Sequence, residues 1–447
     1  MKLPEPAPNW QNLIEKSFKK ISSLTISEGM KDVVKKANGK YVYWDKFKYF
    51  KLPECLTHEL AWAYLKVTRV TQFKDTPIKD KKENKFSYWI PDSILSDLHY
   101  IDQYAAGQIL VDDPRVHAAE RERYLVNSIM EEAIASSQLE GAATTRKKAK
   151  DMLRSGRKPE NRAEKMILNN YITIKNIKKF IDKPLSIDLL SKIQATITKD
   201  TLDDPDTVGR FRNEHEDISV IDGRDGKVLH VPPPAHEINE RMRVLCNYAN
   251  ELHDTEFSHP VIKAILLHFW LAYIHPYVDG NGRTARALFC WYMLKHKYWL
   301  IEYLSISRII LRAPGQYARA YLYSEMDDLD VTYFLRFNLK TIHLAIEALQ
   351  SYLEKQQKEL KETEQFIRKY PGLNHRQYEV LYHAVSHPDG IYTIKYLMNI
   401  YNIVYQTART DLIELEKEGL LEQKKRGQEF YFIPVKHIHK KLRYLKK

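Results

Sequence analysis

The segment HPYVDGNGRTAR, residues 275–286, contains a dense set of side chains that could take part in chemistry. Its Gly280-Asn281-Gly282 turn precedes an apolar stretch of helical spacing, so the first N–H groups of that helix lack intrahelical partners. With the positive end of the helix dipole, such groups form an anion site that phosphate commonly occupies. Gly280 and Gly282 allow positive φ and close ligand approach, while Asn281 can cap the helix and donate to a phosphate oxygen. The turn therefore predicts a phosphate cradle.

Four charged or titratable side chains surround this turn. Arg283 and Arg286 lie three residues apart on the first helical turn, so both can reach across the same mouth towards a polyphosphate. Asp279 precedes the cradle, where its carboxylate can hold Mg²⁺ between two phosphates. His275 is a candidate base for an incoming hydroxyl. Each feature alone has an ordinary structural explanation, but together they predict nucleotide-dependent group transfer.

Two helices must position this loop. Residues 261–274, VIKAILLHFWLAYI, and residues 283–294, RTARALFCWYML, are both apolar at helical spacing. Lys263 and His268 interrupt the first stretch, which favours a core helix over a membrane span. The sequence therefore predicts that the loop connects two largely buried helices.

The segment 275–286 resembles the Fic family signature HPFx(D/E)GNGRxxR and departs from it only at Tyr277, which replaces a phenylalanine. The resemblance extends to residues 209–234, which look like the family's β-hairpin flap and Pro-rich turn. Residues 316–337 look like the segment that closes the nucleotide pocket. The similar region covers about residues 120–345.

The resemblance implies that ATP is the substrate and that Mg²⁺ is held by Asp279. His275 would deprotonate a Ser, Thr or Tyr hydroxyl of a protein, which would attack the α-phosphorus, receive AMP and release pyrophosphate. The turn 280–282 would cradle the α- and β-phosphates, and Arg283 and Arg286 would contact the β- and γ-phosphates. A sister group has lysine at the position of Gly282 and transfers the γ-phosphate, so Gly282 favours AMP transfer.

Two further parts of the similar region have expected binding roles. Residues 213–231 form the flap, whose unpaired strand edge could dock a target segment as an added strand, although a plain surface hairpin is the alternative. Tyr317 and Tyr321 could line the adenine pocket, although aromatic residues four apart are more often core residues.

A second motif, SSQLEG at residues 136–141, ends a helix predicted over 124–141. Glu140 would face the negative end of the helix dipole, which suggests a cationic partner, and Gly141 would end the helix. Ser136, Glu140 and Gly141 match the family's inhibitory helix, (S/T)xxxE(G/N), whose glutamate would pair with Arg286 and exclude the γ-phosphate. The alternative is an ordinary solvent-exposed ion pair.

Length and composition limit the remaining functions. A chain of 447 residues suits two or three domains, and its formal net charge of +12 suits contact with polyanions. Its three cysteines lack the spacing of a zinc site or a disulfide framework. The first ten residues, MKLPEPAPNW, lack the apolar core of a signal peptide, and no run reaches the length of a spanning helix. We expect a cytoplasmic protein with no membrane contact.

The predicted fold is mainly α, with a Fic-type helical core, a β-hairpin flap, a small mixed α/β N-terminal region and a C-terminal winged helix-turn-helix. Residues 1–112 form the mixed region, in which the alternating aromatic residues of 38–50 predict β structure and 54–70 predict a helix. The catalytic domain covers 113–345. A helical connector follows over 346–371.

Residues 372–447 have three helical segments followed by a β-hairpin signal, the pattern of a winged helix-turn-helix. Its third helix would be the recognition helix, and a basic wing would reach phosphates. The candidate DNA-contacting residues are Gln406, Thr407, Arg409, Lys424, Lys425 and Arg426. Acidic residues on the third helix, Asp411 among them, weaken this assignment, and such a module also serves in protein binding or dimerisation.

The sequence thus predicts a protein adenylyltransferase that is restrained in cis by Glu140 and modifies a target protein or itself. A DNA-binding regulator with a nucleotide-sensing Fic domain is the first alternative. Removal of AMP from a modified target, with a glutamate such as Glu140 positioning water, is the second. The target, the nucleotide base and the oligomeric state, a homodimer included, stay open.

Overall fold

The protein is described by a computed structural model covering residues 3–23, 28–53, 56–106, 118–252, 257–368, 372–387, 390–426, 429–436, 438 and 441. It is mainly helical with small two- and three-stranded sheets, which confirms the predicted mainly α class. The chain divides into two compact units, residues 1–110 with 125–346, and residues 111–124 with 347–447. The predicted domain boundaries at 112/113 and 371/372 involve residues outside the described ranges.

The described residues form eighteen α-helices, which range in length from 4 to 37 residues. In order they are α1 Trp10–Ser23, α2 Glu28–Lys40, α3 Trp44–Phe47, α4 His58–Val70, α5 Asp92–Ile101, α6 Ala118–Leu139, α7 Arg146–Ser155, α8 Arg162–Asn176, α9 Ile187–Thr198, α10 Ile238–Ala249, α11 Pro260–Ile274, α12 Asn281–Lys295, α13 Ile306–Arg312, α14 Pro314–Met326, α15 Thr332–Arg368, α16 His375–Ser386, α17 Ile394–Tyr401 and α18 Tyr405–Lys417.

The strands are short and form three antiparallel sheets. They are β1 Lys74–Lys79, β2 Lys85–Tyr88, β3 Val220–Ile221, β4 Val228–His230, β5 Tyr392–Thr393, β6 Leu421–Arg426 and β7 Glu429–Pro434. β1 pairs with β2, β3 pairs with β4, and the third sheet has the order β5-β7-β6.

The centre of the first unit is α11, which packs against α10 and α12. Its side chains are buried on every face, as expected for a helix that is apolar all round. Pro260 occupies its first turn, where a missing N–H costs nothing, and the His259 ring accepts from the Val261 N–H. Fully burying a Leu, Ile or Phe side chain stabilises the fold by about 1.5–3 kcal/mol, so α11 is a rigid base for the loop at its end.

The prediction of β structure over residues 38–50 was wrong. Asn38 and Gly39 lie in the last turn of α2, and Tyr41 ends this helix in a left-handed conformation with φ 48°. The aromatic residues are buried in a cluster with Trp62 and Leu65 of α4. Arg69 of the same helix donates to the Asn38 side chain at 2.9 Å and to the Val42 carbonyl at 3.1 Å. Tertiary contacts therefore override the local alternation.

The flap hairpin is shorter than the predicted range 213–231, because its paired residues are those of β3 and β4. The turn between them is closed by the Asp222 N–H, which donates to the Lys227 carbonyl at 2.8 Å, and by the Gly226 N–H, which donates to the Asp222 carbonyl at 2.8 Å. Three apolar side chains of the flap are more than half exposed, those of Ile221, Val228 and Val231. The flap thus presents both strand edges and apolar surface.

The second unit has its own core, in which α16, α17 and α18 pack with the three-stranded sheet. Its fully buried residues include Leu381, Leu397, Leu412 and Leu415. A capping box begins α16, with the Asn374 and Gln377 side chains each accepting from the other's backbone N–H. Within the described part of the chain, no helix combines the length and apolar character needed to cross a membrane.

Candidate active site

His275 follows the last residue of α11 in a left-handed conformation, with φ 50° and ψ 56°. Its ring Nδ1 lies 3.2 Å from the Ala272 carbonyl oxygen. Because a carbonyl only accepts, Nδ1 carries the proton and donates, which leaves the lone pair on Nε2. Burial lowers the pKa of His275 to about 4, so the ring is neutral at pH 7. The sequence-predicted base therefore has a free basic nitrogen at the end of a rigid helix.

Arg212, which sequence reasoning missed, holds the backbone around His275. Its Nε donates to the His275 carbonyl at 2.9 Å, its Nη2 donates to the Pro233 carbonyl at 2.5 Å, and its own N–H donates to the Pro276 carbonyl at 2.8 Å. The carbonyls at a helix C-terminus need such partners. Arg212 is largely buried, and burial lowers its pKa from the ordinary value. It fixes the strained conformation in which His275 is held.

Asn281 organises the loop from within, and the expectation that its side chain caps α12 was wrong. Its Oδ1 accepts from the Tyr277 N–H at 2.9 Å, and its Nδ2 donates to the Tyr277 carbonyl at 2.7 Å. Both residues are buried, and these two bonds close the loop. The N-cap is Gly280, with φ 83°, where a Cβ would lie 2.8 Å from Thr198 Cγ2.

The start of α12 presents free backbone donors. The first bond of the helix runs from the Thr284 N–H to the Gly280 carbonyl at 2.9 Å. The N–H groups of residues 281–283 precede it and have no backbone acceptor among the described residues, so they could meet an anion, backed by the helix dipole. This geometry suits the predicted phosphate cradle.

Gly282 is needed for space rather than for positive φ. Its backbone is helical, and an added Cβ would lie 2.1 Å from Glu140 Oε1 and 3.2 Å from Arg286 Nη1. Of the two glycines that allow positive φ, only Gly280 adopts it, because Gly282 lies inside the first turn of α12. The absence of a side chain instead admits the Glu140 carboxylate to the mouth of the cradle.

Glu140 contacts Arg286, the last residue of the motif. Arg286 Nη2 donates to Glu140 Oε1 at 2.8 Å and to the Ser136 carbonyl at 2.9 Å, while its Nε donates to Ser136 Oγ at 2.8 Å. Gly141, with φ 89°, turns the chain after α6. The structure thus brings the two sequence motifs together through one guanidinium group.

Asp279 and Arg283 form a second pair of charged residues beside the cradle. Arg283 is fully buried; its Nη2 lies 3.3 Å from Asp279 Oδ1 and its Nη1 donates to the Ile197 carbonyl at 3.2 Å. Its Nε has no hydrogen-bond partner among the described residues. Arg162 Nη2 lies 3.7 Å from Asp279 Oδ2. These contacts hold the buried Arg283 side chain in place, so it does not extend across the opening of the cradle.

The residues present fit Mg²⁺ only as part of a nucleotide complex. Across the described ranges, no group of three or more His, Cys, Asp and Glu side chains is arranged to hold a metal. Asp279 supplies one partly exposed carboxylate. Mg²⁺ is commonly held by one or two carboxylates, with substrate phosphates and waters completing its shell. Asp279 beside a phosphate cradle matches that donor set.

Tyr317 and Tyr321 lie on α14, and the Tyr317 side chain interacts with Arg286. The Tyr317 hydroxyl lies 2.9 Å from His268 Nε2 and 3.1 Å from the Tyr321 hydroxyl. Burial, followed by the charge of Arg286, lowers the pKa of His268 to about 3, so this ring is neutral. The two tyrosines are partly exposed, and their rings pack against Phe334.

The predicted DNA-contacting residues lie in the second unit. Gln406 and Arg409 are exposed on α18, with Thr407 half-buried beside them. Lys424 and Lys425 are exposed on β6, where Lys425 Nζ lies 5.5 Å from the centre of the Phe430 ring. Arg426 ends β6, and its side chain lies outside the described set.

Residues 184–293 match the Fic/DOC family. This span includes α11, the loop and the first turns of α12, and so the whole motif of residues 275–286. The chain therefore contains a Fic/DOC region. The flap and the end of α11 therefore lie within the matched Fic/DOC region.

Two relatives are named protein adenylyltransferase Fic. The one from Nematostella vectensis is 38% identical over 84 residues, 19% of this chain and 17% of the relative. The one from Drosophila virilis is 33% identical over 115 residues, 24% of this chain and 21% of the relative. The matches thus span about a fifth of these relatives.

A Fic family protein from Desulfovibrio desulfuricans G20 has a similar fold, with a TM-score of 0.50 at 18% identity. The similarity covers 76% of this chain and 94% of the solved one.

Gln194 is a second Fic-domain residue that the sequence did not reveal. Its Nε2 donates to the Asp279 carbonyl at 3.0 Å, and its Oε1 accepts from the Gly209 N–H at 2.7 Å. It is fully buried on α9. It therefore connects the backbone of Gly209, which precedes the flap, to the backbone of Asp279, which precedes the cradle. Neither Gln194 nor Arg212 lies in a local pattern that distinguishes it from a surface polar residue.

Proposed function

We propose that the protein transfers AMP from ATP–Mg²⁺ to a hydroxyl of a protein. The observation that carries the proposal is the position of a neutral His275, with Nε2 unprotonated, at the same loop as the free N–H groups of α12. Substitution at phosphorus by a hydroxyl needs a base for that hydroxyl, and it needs a binding site for the phosphates beside the base. The names of the two relatives support AMP as the transferred group.

In this proposal the target hydroxyl oxygen attacks the α-phosphorus while its proton moves to His275 Nε2. A bond forms between that oxygen and the phosphorus, and the bond to the β-phosphate oxygen breaks, so pyrophosphate leaves with the electron pair. The N–H groups of 281–283 and the buried Arg283 guanidinium stabilise charge on the phosphates. Mg²⁺, held by Asp279 together with phosphate oxygens, would neutralise further charge.

Glu140 would restrain this reaction by occupying Arg286. The guanidinium is committed to the Glu140 carboxylate and to Ser136, so it is not free for a γ-phosphate. The carboxylate also lies where a Cβ of Gly282 would be, at the mouth of the cradle. A second negative group there would repel a triphosphate.

The flap would dock the segment that carries the target hydroxyl. Its two strands have unpaired outer edges, and the exposed Ile221, Val228 and Val231 offer apolar contacts. An extended peptide could add to such an edge through main-chain hydrogen bonds, which read little side-chain identity.

The C-terminal unit gives a second, compatible role. Helices α16–α18 and the sheet β5-β7-β6 have the order of a winged helix-turn-helix, with α18 as the exposed third helix. Asp411, an acid that weakened this reading, is buried and accepts from Arg376 Nε at 2.7 Å, so it does not face a ligand. We infer a nucleic-acid contact through Gln406, Arg409 and the wing.

The deciding experiment incubates the full chain with Mg²⁺ and with ATP labelled at the α or the γ phosphate, in wild type, Glu140→Gly and His275→Ala. AMP transfer predicts covalent α-label that increases in Glu140→Gly and is lost in His275→Ala. Label from the γ position alone indicates a kinase. ATP binding without either label favours the regulator, and release of AMP from labelled protein favours the reverse reaction.

A further inference from the structure

His230, the last residue of flap strand β4, connects the flap to two helices. Its Nε2 lies 2.8 Å from the Tyr273 carbonyl oxygen in the last turn of α11. Its Nδ1 lies 2.8 Å from Glu325 Oε2 on α14. The ring also packs against the Tyr273 ring, with centroids 4.8 Å apart, and the His230 side chain is 9% exposed. The proposed function assigns no role to this contact.

The two partners of His230, a backbone carbonyl and a carboxylate, are both acceptors. Each bond forms when the ring nitrogen that faces it donates. The Tyr273 carbonyl belongs to the last turn of α11, where the intrahelical partner is missing. The ring therefore joins β4 to the end of α11 and to α14.

We propose that His230 is a positioning residue whose ring fastens flap strand β4 to the end of α11 beside His275. This rests on the proposed AMP transfer for its functional meaning. With Arg212 on the neighbouring carbonyls, His230 completes the set of side chains that hold the end of the catalytic helix. A target segment docked on the flap would then have a fixed distance to the base.

The charged groups around the ring come from every neighbouring element. Glu325 faces it from α14, His275 and the Tyr273 phenol from the end of α11, Arg212 from the segment before the flap, and Lys81 from the β1–β2 turn beside Glu325. The pKa of His275 is lowered first by burial and further by the charges of His230 and Arg212.

The test measures backbone hydrogen exchange over residues 220–231 in the full chain, corrected for the intrinsic pH dependence of exchange. His230→Phe keeps a ring but donates nothing, and Glu325→Gln keeps the shape of the partner without its charge. Loss of a charge-assisted hydrogen bond should accelerate flap exchange about tenfold or more in both. His236→Phe is the matched control, since His236 pairs with Glu214 at 3.2 Å on an exposed surface, and it should not change.

Unchanged flap exchange in both variants would overturn the proposal. If His230→Phe fails to fold, judged by faster exchange throughout α10 and α12, Glu325→Gln decides alone. The exchange readout does not depend on catalysis. A loosened flap in a protein that never takes up α-label would therefore refute AMP transfer and leave the His230 contact standing.

Discussion

Removal of the Glu140 carboxylate should strengthen ATP binding by about the free energy of its hydrogen bond with Arg286. Arg286 Nη2 lies 2.8 Å from Glu140 Oε1, and the two side chains are 7% and 30% exposed. A hydrogen bond between charged partners contributes about 1.5–3 kcal/mol. ATP must displace this bond before Arg286 can contact its γ-phosphate. Glu140→Gly should therefore lower the Kd of ATP–Mg²⁺ by roughly 10- to 150-fold.

Titration calorimetry of ATP–Mg²⁺ into wild type and Glu140→Gly measures this difference directly. Glu131→Gln is the matched control, because Glu131 lies on the same helix and pairs instead with Arg146 and Lys150. Its Kd should equal that of wild type. Equal affinities for wild type and Glu140→Gly would refute the reasoning, since they would mean that Arg286 is not the group for which ATP and Glu140 compete.

Three further predictions concern the base, the glycine and the second unit. Because burial lowers the pKa of His275 to about 4, its base form persists at mildly acidic pH, and the acid limb of transfer in Glu140→Gly should lie near pH 4; a limb near the ordinary histidine value of about 6.5 would contradict this. Gly282→Ala places a Cβ 2.1 Å from Glu140 Oε1, so it should lower the melting temperature of wild type more than that of Glu140→Gly; equal shifts would show that the carboxylate is not the obstacle. Arg409→Ala should weaken binding of duplex DNA and reduce the salt slope by about one, as measured by fluorescence anisotropy at several salt concentrations; an unchanged slope would remove α18 from the interface.

The catalytic loop was predictable because its chemistry is local in sequence. The motif specifies both the helix that precedes it and the helix that follows, so His275, Asp279 and the cradle were assigned from one segment. A carboxylate at a helix C-terminus suggested a cationic partner for Glu140. Its inhibitory role and its pairing with Arg286 came from the resemblance of residues 136–141 to the family's inhibitory helix.

The supporting residues were not predictable because they act across the fold. Arg212, His230 and Gln194 hold backbone carbonyls or flap residues that are distant in sequence. The sequence around a polar residue does not indicate which distant backbone carbonyl its side chain contacts. The helical structure of 38–50 was missed for the same reason, since the buried Arg69 comes from another helix.

The most direct test of the central claim is α-label transfer in three full-length proteins: wild type, Glu140→Gly, and the double variant Glu140→Gly with His275→Ala. The account predicts weak labelling in wild type, strong labelling in Glu140→Gly, and none in the double variant, although the double variant still binds ATP. Labelling of the double variant at the level of Glu140→Gly would contradict the account, because the transfer would then need no base at His275.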